Sequence, residues 1–180
     1  MKKLMIASDI HGSAYYCRKM LEAFDREQAD RLLLLGDILY HGPRNDLPEE
    51  YAPKAVIEML NSVFDDIICV RGNCEAEVDQ MVLNFPVLAD YAVICVGDKT
   101  IYATHGHHLD NFKNIRKDSI LLFGHTHIPE NTEKDGILHV NPGSVSIPKQ
   151  NSPHSYIVMN DNGLEWKDLT NGEVYMNHKF

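Results

Sequence analysis

The sequence is poor in positive charge. Its 180 residues include 17 lysines and arginines against 26 aspartates and glutamates, which gives a formal net charge of −9. Proteins that bind long nucleic acids carry clustered Lys and Arg residues against the phosphate backbone. The composition therefore argues against a long nucleic acid as partner. A small phosphorylated substrate stays open, because bound cations would supply positive charge locally.

Long apolar runs and paired cysteines are also missing. No segment approaches the roughly 18 consecutive apolar residues of a membrane span, so no membrane partner is expected. The short apolar run near the N-terminus is typical of a first strand rather than a signal peptide, which needs a longer run and a small-residue cleavage site. The four cysteines lack CxxC spacing, which argues against a zinc ribbon or a redox pair. We therefore expect a cytoplasmic protein with reduced thiols.

The composition is that of a folded protein. Hydrophobic residues make up 44% of the chain and charged residues 24%, which is ordinary for globular domains. A chain of this length can bury a substantial core, and neither repeats nor low-complexity tracts divide it. We therefore expect a single domain over residues 1–180.

The apolar pattern predicts alternating strands and helices first, and then a β-rich half. Predicted strands cover 4–8, 31–35 and 67–70, and predicted helices cover 14–27, 53–63 and about 76–83. After residue 90, predicted strands cover 93–96, 100–103, 120–123, 138–140, 156–159, 164–169 and 174–176. This order indicates an α/β fold.

Five short motifs place metal-ligand residue types directly after strand-like runs. They are Asp9-Ile10-His11-Gly12, Gly36-Asp37, Gly72-Asn73-Cys74-Glu75, His105-Gly106-His107 and Gly124-His125-Thr126-His127. Taken singly, each motif fits a turn or a helix cap as well as a ligand. Together they offer the oxygen and nitrogen donors that two divalent cations require.

The spacing explains how these side chains could share one site. The seven candidate metal ligands are Asp9, His11, Asp37, Asn73, His105, His125 and His127. Residues i and i+2 of an extended segment point the same way, so Asp9 and His11 can grip one ion together. Asp37 can bridge two ions because a carboxylate has two oxygens. The set points to metal-assisted hydrolysis, with a phosphate ester as the best-fitting substrate.

In this order the motifs resemble the signature of the calcineurin-like metallophosphoesterases, which reads D-x-H, G-D, G-N-H-[DE], a later H, and G-H-x-H. The resemblance covers residues from about 4 to 148. A closer resemblance is to the small bacterial phosphodiesterases of the YfcE type. It includes the segments His41-Gly42-Pro43-Arg44-Asn45 and Asn141-Pro142-Gly143-Ser144-Val145-Ser146. It implies a four-layer α/β/β/α sandwich of two mixed β-sheets flanked by helices, with metals at the strand ends.

The resemblance also implies how the ligands divide. One metal would be bound by Asp9, His11, Asp37 and His127, and the other by Asp37, Asn73, His105 and His125. Manganese is the cation that YfcE-type enzymes favour, with iron or zinc as alternatives. A metal-bound hydroxide would attack the phosphorus of a small phosphodiester, with Asp37, Asn73 and Cys74 as catalytic residues.

One position departs from the signature. Cys74 stands where the wider family has a histidine that assists departure of the leaving group. A thiol is a poorer proton donor to an alkoxide than an imidazolium. We therefore expect weak turnover of esters with poor leaving groups and better turnover of activated aryl esters.

Arg44 is the candidate substrate residue. Its guanidinium suits bidentate contacts to phosphate oxygens. It lies in the segment 40–53, which could form a lid or a subunit contact in a homo-oligomer. The alternatives to a phosphodiesterase are a phosphomonoesterase, an oligonucleotide-cleaving nuclease and a non-enzymatic scaffold of the same fold. Retention of every histidine ligand favours an enzyme over a scaffold.

Overall fold

Two mixed β-sheets form the centre of the computed structural model, which describes residues 3–180. The first two residues of the expected domain lie outside that range. The strands are β1 (Lys3–Ala7), β2 (Arg31–Leu34), β3 (Ile67–Cys69), β4 (Tyr91–Val96), β5 (Lys99–Thr104), β6 (Ile120–Leu122), β7 (Glu130–Lys134), β8 (Ile137–Asn141), β9 (Ser155–Asn160), β10 (Gly163–Asp168) and β11 (Val174–Lys179). The helices are α1 (Ala14–Glu27), α2 (Pro53–Asn61) and α3 (Glu77–Gln80), with 3₁₀ segments at Phe64–Asp66 and Leu109–Phe112. The sheet orders are β11-β10-β9-β1-β2-β3 and β4-β5-β6-β8-β7.

Apolar side chains pack against both faces of the six-stranded sheet. One cluster lies between the face of the sheet that contains Met5 and the helices α1 and α2, and it includes Met20 of α1. A second cluster joins the opposite face, at Leu4, to Ile101 of the five-stranded sheet. On the outer side of that second sheet, a smaller cluster contains Phe112 from the 3₁₀ segment. The predicted sandwich of two mixed sheets flanked by helices is confirmed, and few helices flank it.

Helix α1 has the predicted bounds because both of its ends are capped. The Ser13 hydroxyl accepts a hydrogen bond from the Tyr16 backbone N–H at the first turn. At the other end, Gln28 adopts the left-handed conformation that commonly terminates helices. The apolar spacing that predicted this helix therefore gave the right bounds, and of the two caps only Ser13 is of a residue type that favours its position.

Two other helices are shorter than predicted. Helix α2 ends before Ser62, whose hydroxyl donates to the Met59 carbonyl oxygen (2.7 Å) as the chain tightens into 3₁₀ geometry. Helix α3 ends at Gln80, whose side-chain amide donates to the carbonyl oxygens of Leu83 (3.3 Å) and Phe85 (3.0 Å). Within residues 3–180, no helix combines the length and the apolar character that crossing a bilayer requires.

Among the described strands, β7 alone has no counterpart in the sequence prediction. It is an edge strand of mostly polar residues, and among the described strands it pairs with β8 alone. A strand of this kind lacks the apolar alternation by which strands are recognised. The following turn at Asp135 (φ 54°) and Gly136 (φ 76°) is left-handed at both positions, as a tight two-residue hairpin favours.

Parallel pairing brings the motif-bearing loops together. Strands β1, β2 and β3 run parallel in one sheet, and β5, β6 and β8 run parallel in the other. The carboxyl ends of parallel strands lie at one edge of a sheet, where ligand sites of α/β proteins occur. All five motifs follow such strands, so the fold itself gathers the candidate ligands.

Candidate metal centre

The candidate ligands are held in an unusual backbone conformation. Asp9, His11, Asp37, His125 and His127 have φ values between 49° and 65°. Positive φ is uncommon for residues other than glycine and costs about 1–2 kcal/mol relative to the right-handed region. Such strained positions cluster at functional sites, where the surrounding structure over-determines them. The loops after β1, β2 and β6 therefore hold these five side chains against local preference.

Asp9, His11 and His127 form a first set of donor atoms, here called the Asp9 group. Asp9 Oδ1 lies 3.2 Å from His127 Nε2 and 3.6 Å from His11 Nε2. The two ring nitrogens are 3.2 Å apart. All three side chains are buried.

The hydrogen-bond pattern of the Asp9 group suits a cation. His11 Nδ1 donates to the Tyr40 carbonyl oxygen (2.8 Å), and His127 Nδ1 donates to the Ile147 carbonyl oxygen (2.6 Å). Because a carbonyl oxygen can only accept, Nε2 of each neutral ring carries a lone pair. Asp9 Oδ1 is buried beside them without a hydrogen-bond partner. Three electron-pair donors that face one another match the donor set of a divalent metal.

Asn73, His105 and His125 form a second set, the Asn73 group. His105 Nε2 lies 3.1 Å from Asn73 Oδ1 and 3.2 Å from His125 Nδ1. His105 Nδ1 donates to the Leu35 carbonyl oxygen (2.6 Å), so its Nε2 is again the free donor atom. Asn73 is exposed and His125 is partly exposed. The Asn73 group therefore faces solvent more than the Asp9 group does.

Asp37 lies between the two groups. Its Oδ2 is 3.7 Å from His11 Nε2 and 3.4 Å from His105 Nε2. Its Oδ1 accepts a hydrogen bond from the Cys74 backbone N–H (2.9 Å). One oxygen is thus fixed by the chain, while the other faces both groups at once. This is the position that a shared carboxylate of a two-metal site would take.

The charges in this region favour additional positive charge. Burial would raise the pKa of Asp9, but the facing His11 and His127 rings hold it well below its usual range. Burial would lower the pKa of His105, but Asp37 and Asp9 raise it to about 9. The two carboxylates therefore favour the protonated forms of His11 and His105. A metal ion would supply that positive charge in place of protons.

Glu75 supports the site without contributing to either group. Its buried carboxylate accepts hydrogen bonds from the backbone N–H groups of Asp37 (2.9 Å), Ile38 (2.7 Å) and Gly72 (2.5 Å). Burial raises the pKa of Glu75, and the neighbouring Asp37 charge adds to this. It ties the loop after β2 to the loop after β3. The sequence motif contained this glutamate, but its spacing did not show the role.

Two serines fix the backbone of Asp9. The hydroxyls of Ser144 and Ser146 donate to the Asp9 carbonyl oxygen at 2.9 and 3.1 Å. The Ser8 hydroxyl and the His125 backbone N–H donate to Asp9 Oδ2 at 2.6 and 3.1 Å, which leaves Oδ1 toward the rings. The loop after β8 thus lies against the site rather than merely forming a turn.

A cavity of about 460 Å³ opens over the two groups. Arg44, the predicted substrate residue, lines it, and so does Lys149, which the motifs did not indicate. Cys74 also lines it, and its thiol accepts a hydrogen bond from the Asn73 side-chain amide (3.3 Å). Burial and the Asp37 charge raise the pKa of Cys74. Of the nine predicted site residues, seven line this cavity, and Asp9 and His105 lie behind it in contact with His127 and His125.

Comparison with known proteins identifies the family of the chain. Residues 1–162 match the calcineurin-like phosphoesterase superfamily domain. The chain is 46% identical over 166 residues to the phosphodiesterase YfcE of Escherichia coli K12, covering 91% of this chain and 90% of that protein. It is 25% identical over 150 residues to the phosphodiesterase MJ0936 of Methanocaldococcus jannaschii, covering 78% of this chain and 82% of that protein.

Solved structures show the same fold. The E. coli YfcE phosphoesterase superimposes with a TM-score of 0.94 at 43% identity, covering 98% of both chains. Vacuolar protein sorting 29 of Cryptosporidium parvum superimposes with a TM-score of 0.68 at 20% identity, covering 99% of this chain and 97% of that one. The second likeness concerns the fold alone.

Proposed function

The chain belongs to the calcineurin-like phosphoesterase superfamily, and from this premise we propose that it is a metal-dependent phosphodiesterase acting on small phosphodiesters. One observation carries the proposal. The Asp9 group and the Asn73 group meet at Asp37 Oδ2, which is within 3.7 Å of a ring nitrogen from each. The similarity to YfcE, a protein named as a phosphodiesterase, supports diester rather than monoester hydrolysis.

The donor sets fit two divalent cations. One cation would be held by Asp9, His11, Asp37 and His127, and the other by Asp37, Asn73, His105 and His125. When bound, the cations would supply a nucleophile from water at neutral pH and would stabilise charge on the phosphoryl oxygens. Manganese is the first candidate, with iron or zinc as alternatives, because mixed oxygen and nitrogen donors accept all three.

The protein's own residues would attract and orient the substrate. Only two carboxylates face two dications, so the loaded site would keep an excess of positive charge toward a diester anion. Arg44 and Lys149 line the same cavity and can donate to the non-bridging phosphate oxygens. The net charge of −9 remains the argument for a small substrate over a long nucleic acid.

Metal content and hydrolysis measured together test this function. Purified protein loaded with manganese should hold two ions per chain and hydrolyse bis(4-nitrophenyl) phosphate, with little activity on 4-nitrophenyl phosphate. Activity should require manganese and should vanish in Asp37→Ala. The control Asp65→Ala removes an exposed carboxylate in the 3₁₀ segment after α2 and should behave as wild type.

Two results would contradict the proposal. A folded protein that takes up no metal would favour the scaffold alternative. Faster hydrolysis of the monoester than of the diester would favour the phosphomonoesterase alternative.

A further inference from the structure

A second and larger cavity, of about 740 Å³, opens beside the metal centre. We call it the aromatic pocket. Asn73 lines this pocket and also lines the cavity over the two donor groups. Because one exposed side chain belongs to both walls, a molecule held at the metal centre can extend into the aromatic pocket. Its volume is in the range of small-molecule sites and leaves room for more than a phosphate group.

One wall of the aromatic pocket suits a flat ring. Tyr91, Tyr102, Phe112 and Ile115 line it. The Tyr91 and Phe112 rings are 5.8 Å apart at an interplanar angle of 78°. Tyr102 and Ile115 pack against the small apolar cluster that contains Phe112, which gives this wall a fixed backing. Aromatic side chains of this kind bind planar rings by stacking and edge contacts.

Polar side chains form most of the rest of the lining. Arg71, His107 and Asn111 line the pocket beside the aromatic side chains. The Arg71 guanidinium is held in place by its hydrogen bond to the Glu75 carbonyl oxygen (3.3 Å). A wall that combines aromatic side chains with polar groups, one of them fixed by a backbone contact, can hold a ring by stacking and contact its polar substituents.

We propose that the aromatic pocket binds the ester arm that a phosphodiester retains on hydrolysis, and that it favours an arm carrying an aromatic ring. This inference rests on the proposed phosphodiesterase function. The departing arm leaves as an oxyanion and is favoured beside Arg44 and Lys149 of the other cavity, because the aromatic pocket has a single arginine, Arg71, and an aspartate, Asp90, in the same lining. The retained arm develops no charge when the bond to the leaving group breaks. It therefore lies on the other side of Asn73, in the aromatic pocket.

Two diesters with the same leaving group test the inference in the manganese-loaded full chain. They are 4-nitrophenyl phenyl phosphate and 4-nitrophenyl methyl phosphate, which differ only in the retained arm. Wild type should prefer the phenyl ester in kcat/KM by about tenfold, the size of a stacking contribution, mainly through KM. The two esters also differ in their intrinsic chemical reactivity. This difference cancels when the phenyl-to-methyl ratio of kcat/KM of each variant is divided by the same ratio of the wild type.

Two variants act on the pocket in different ways. Tyr91→Ala removes a wall residue that is 55% exposed, and Asn111→Trp fills the pocket from an exposed position. Both should reduce the phenyl preference severalfold and leave kcat/KM for the methyl ester unchanged. Val93→Ala is the matched control, because Val93 is 52% exposed on the same strand and does not line the pocket. It should keep the wild-type preference.

The outcomes separate the two proposals. An unchanged phenyl preference in both folded pocket variants would overturn this inference and leave the phosphodiesterase function standing. A wild type that hydrolyses neither ester would overturn the proposed function and this inference with it.

Discussion

Two regions of the molecule shield carboxylates from solvent, partly at Glu27 and fully at Asp9 and Asp37, and neutralise them in different ways. Glu27, at the end of α1, accepts hydrogen bonds from Lys167 Nζ (2.9 and 3.0 Å) and from the Tyr156 hydroxyl (2.8 Å). Asp9 and Asp37 lie among histidines instead. Within residues 3–180, the only basic nitrogens within 4 Å of these two carboxylates are those of histidine rings.

The difference separates a structural site from a functional one. Lys167 supplies Glu27 with a cationic partner from within the chain, so the Glu27 site is complete. The Asp9 and Asp37 carboxylates depend on histidines whose Nε2 atoms carry lone pairs when neutral. They are therefore left short of positive charge, which a divalent cation would provide. Variants at the two sites should therefore differ in how they respond to a divalent cation.

The largest expected effect is the loss of metal-linked stability in Asp37→Asn. A ligand at 100 times its Kd stabilises the folded state by about 2.7 kcal/mol. Manganese in that excess should raise the Tm of wild type and of Glu27→Gln alike, but should hardly change that of Asp37→Asn. Thermal unfolding with and without manganese measures this. An equal Tm rise in all three proteins would show that Asp37 is not part of the metal centre.

Adding a histidine to the centre should change substrate selectivity. In Cys74→His, an imidazole that can protonate the leaving group replaces a neutral thiol. Turnover of esters with poor leaving groups should rise by about 100-fold, the lower range of general acid catalysis. Activated aryl esters should change little, because their leaving groups need no proton. Comparing kcat for alkyl and aryl diesters measures the effect, and unchanged selectivity would remove Cys74 from the account.

The support given by Glu75 should be visible in both stability and metal affinity. In Glu75→Gln, one oxygen that accepts backbone N–H groups is replaced by an amide that donates, which costs about 1–3 kcal/mol of stability. Loss of a supporting partner typically lowers metal affinity by about 10-fold or more. Denaturant unfolding and manganese titration measure these effects. Glu77→Gln, at an exposed position, is the control and should change neither; a Glu75→Gln protein that matches it in both would contradict the role.

The smallest effect concerns the pH dependence at Glu27. Burial would raise the pKa of Glu27, but Lys167 and Tyr156 hold it below the ordinary value of 4.5. A lowered folded-state pKa stabilises the protein above about pH 4.5, and this stability is lost as the pH falls through the folded-state pKa. Glu27→Gln should therefore cost about 0.5–1 kcal/mol at pH 7 and less at pH 3. Denaturant unfolding at both pH values measures it, and an equal cost at both would refute the assignment.

The donor residues were predictable because each of them follows a strand that can be recognised from its apolar residues. The atoms that they present were not predictable. His125 faces His105 through Nδ1, whereas His11 faces His127 through Nε2. Which ring nitrogen faces the site depends on the orientation of the ring and on which nitrogen donates to a backbone carbonyl oxygen. Neither can be read from a sequence. Positive φ at His125 and His127 likewise arises from the folded loop rather than from their residue type.

Supporting contacts were harder to predict than ligands. Glu75 bonds to backbone groups 37 and 38 positions earlier in the chain, and no spacing rule links them. Lys149 reaches the cavity only because the loop after β8 folds back against Asp9. The sequence does not predict the edge strand β7 for a similar reason. Its polar residues form a strand because they pair with β8, and they show no apolar alternation of their own.

Electron paramagnetic resonance of the manganese-loaded wild-type protein tests the central claim most directly. If Asp37 Oδ2 joins two donor groups, two manganese ions per chain should give the spectrum of a magnetically coupled pair, as expected for ions about 3.5–4 Å apart. A single ion per chain, or two ions with uncoupled spectra, would contradict the account.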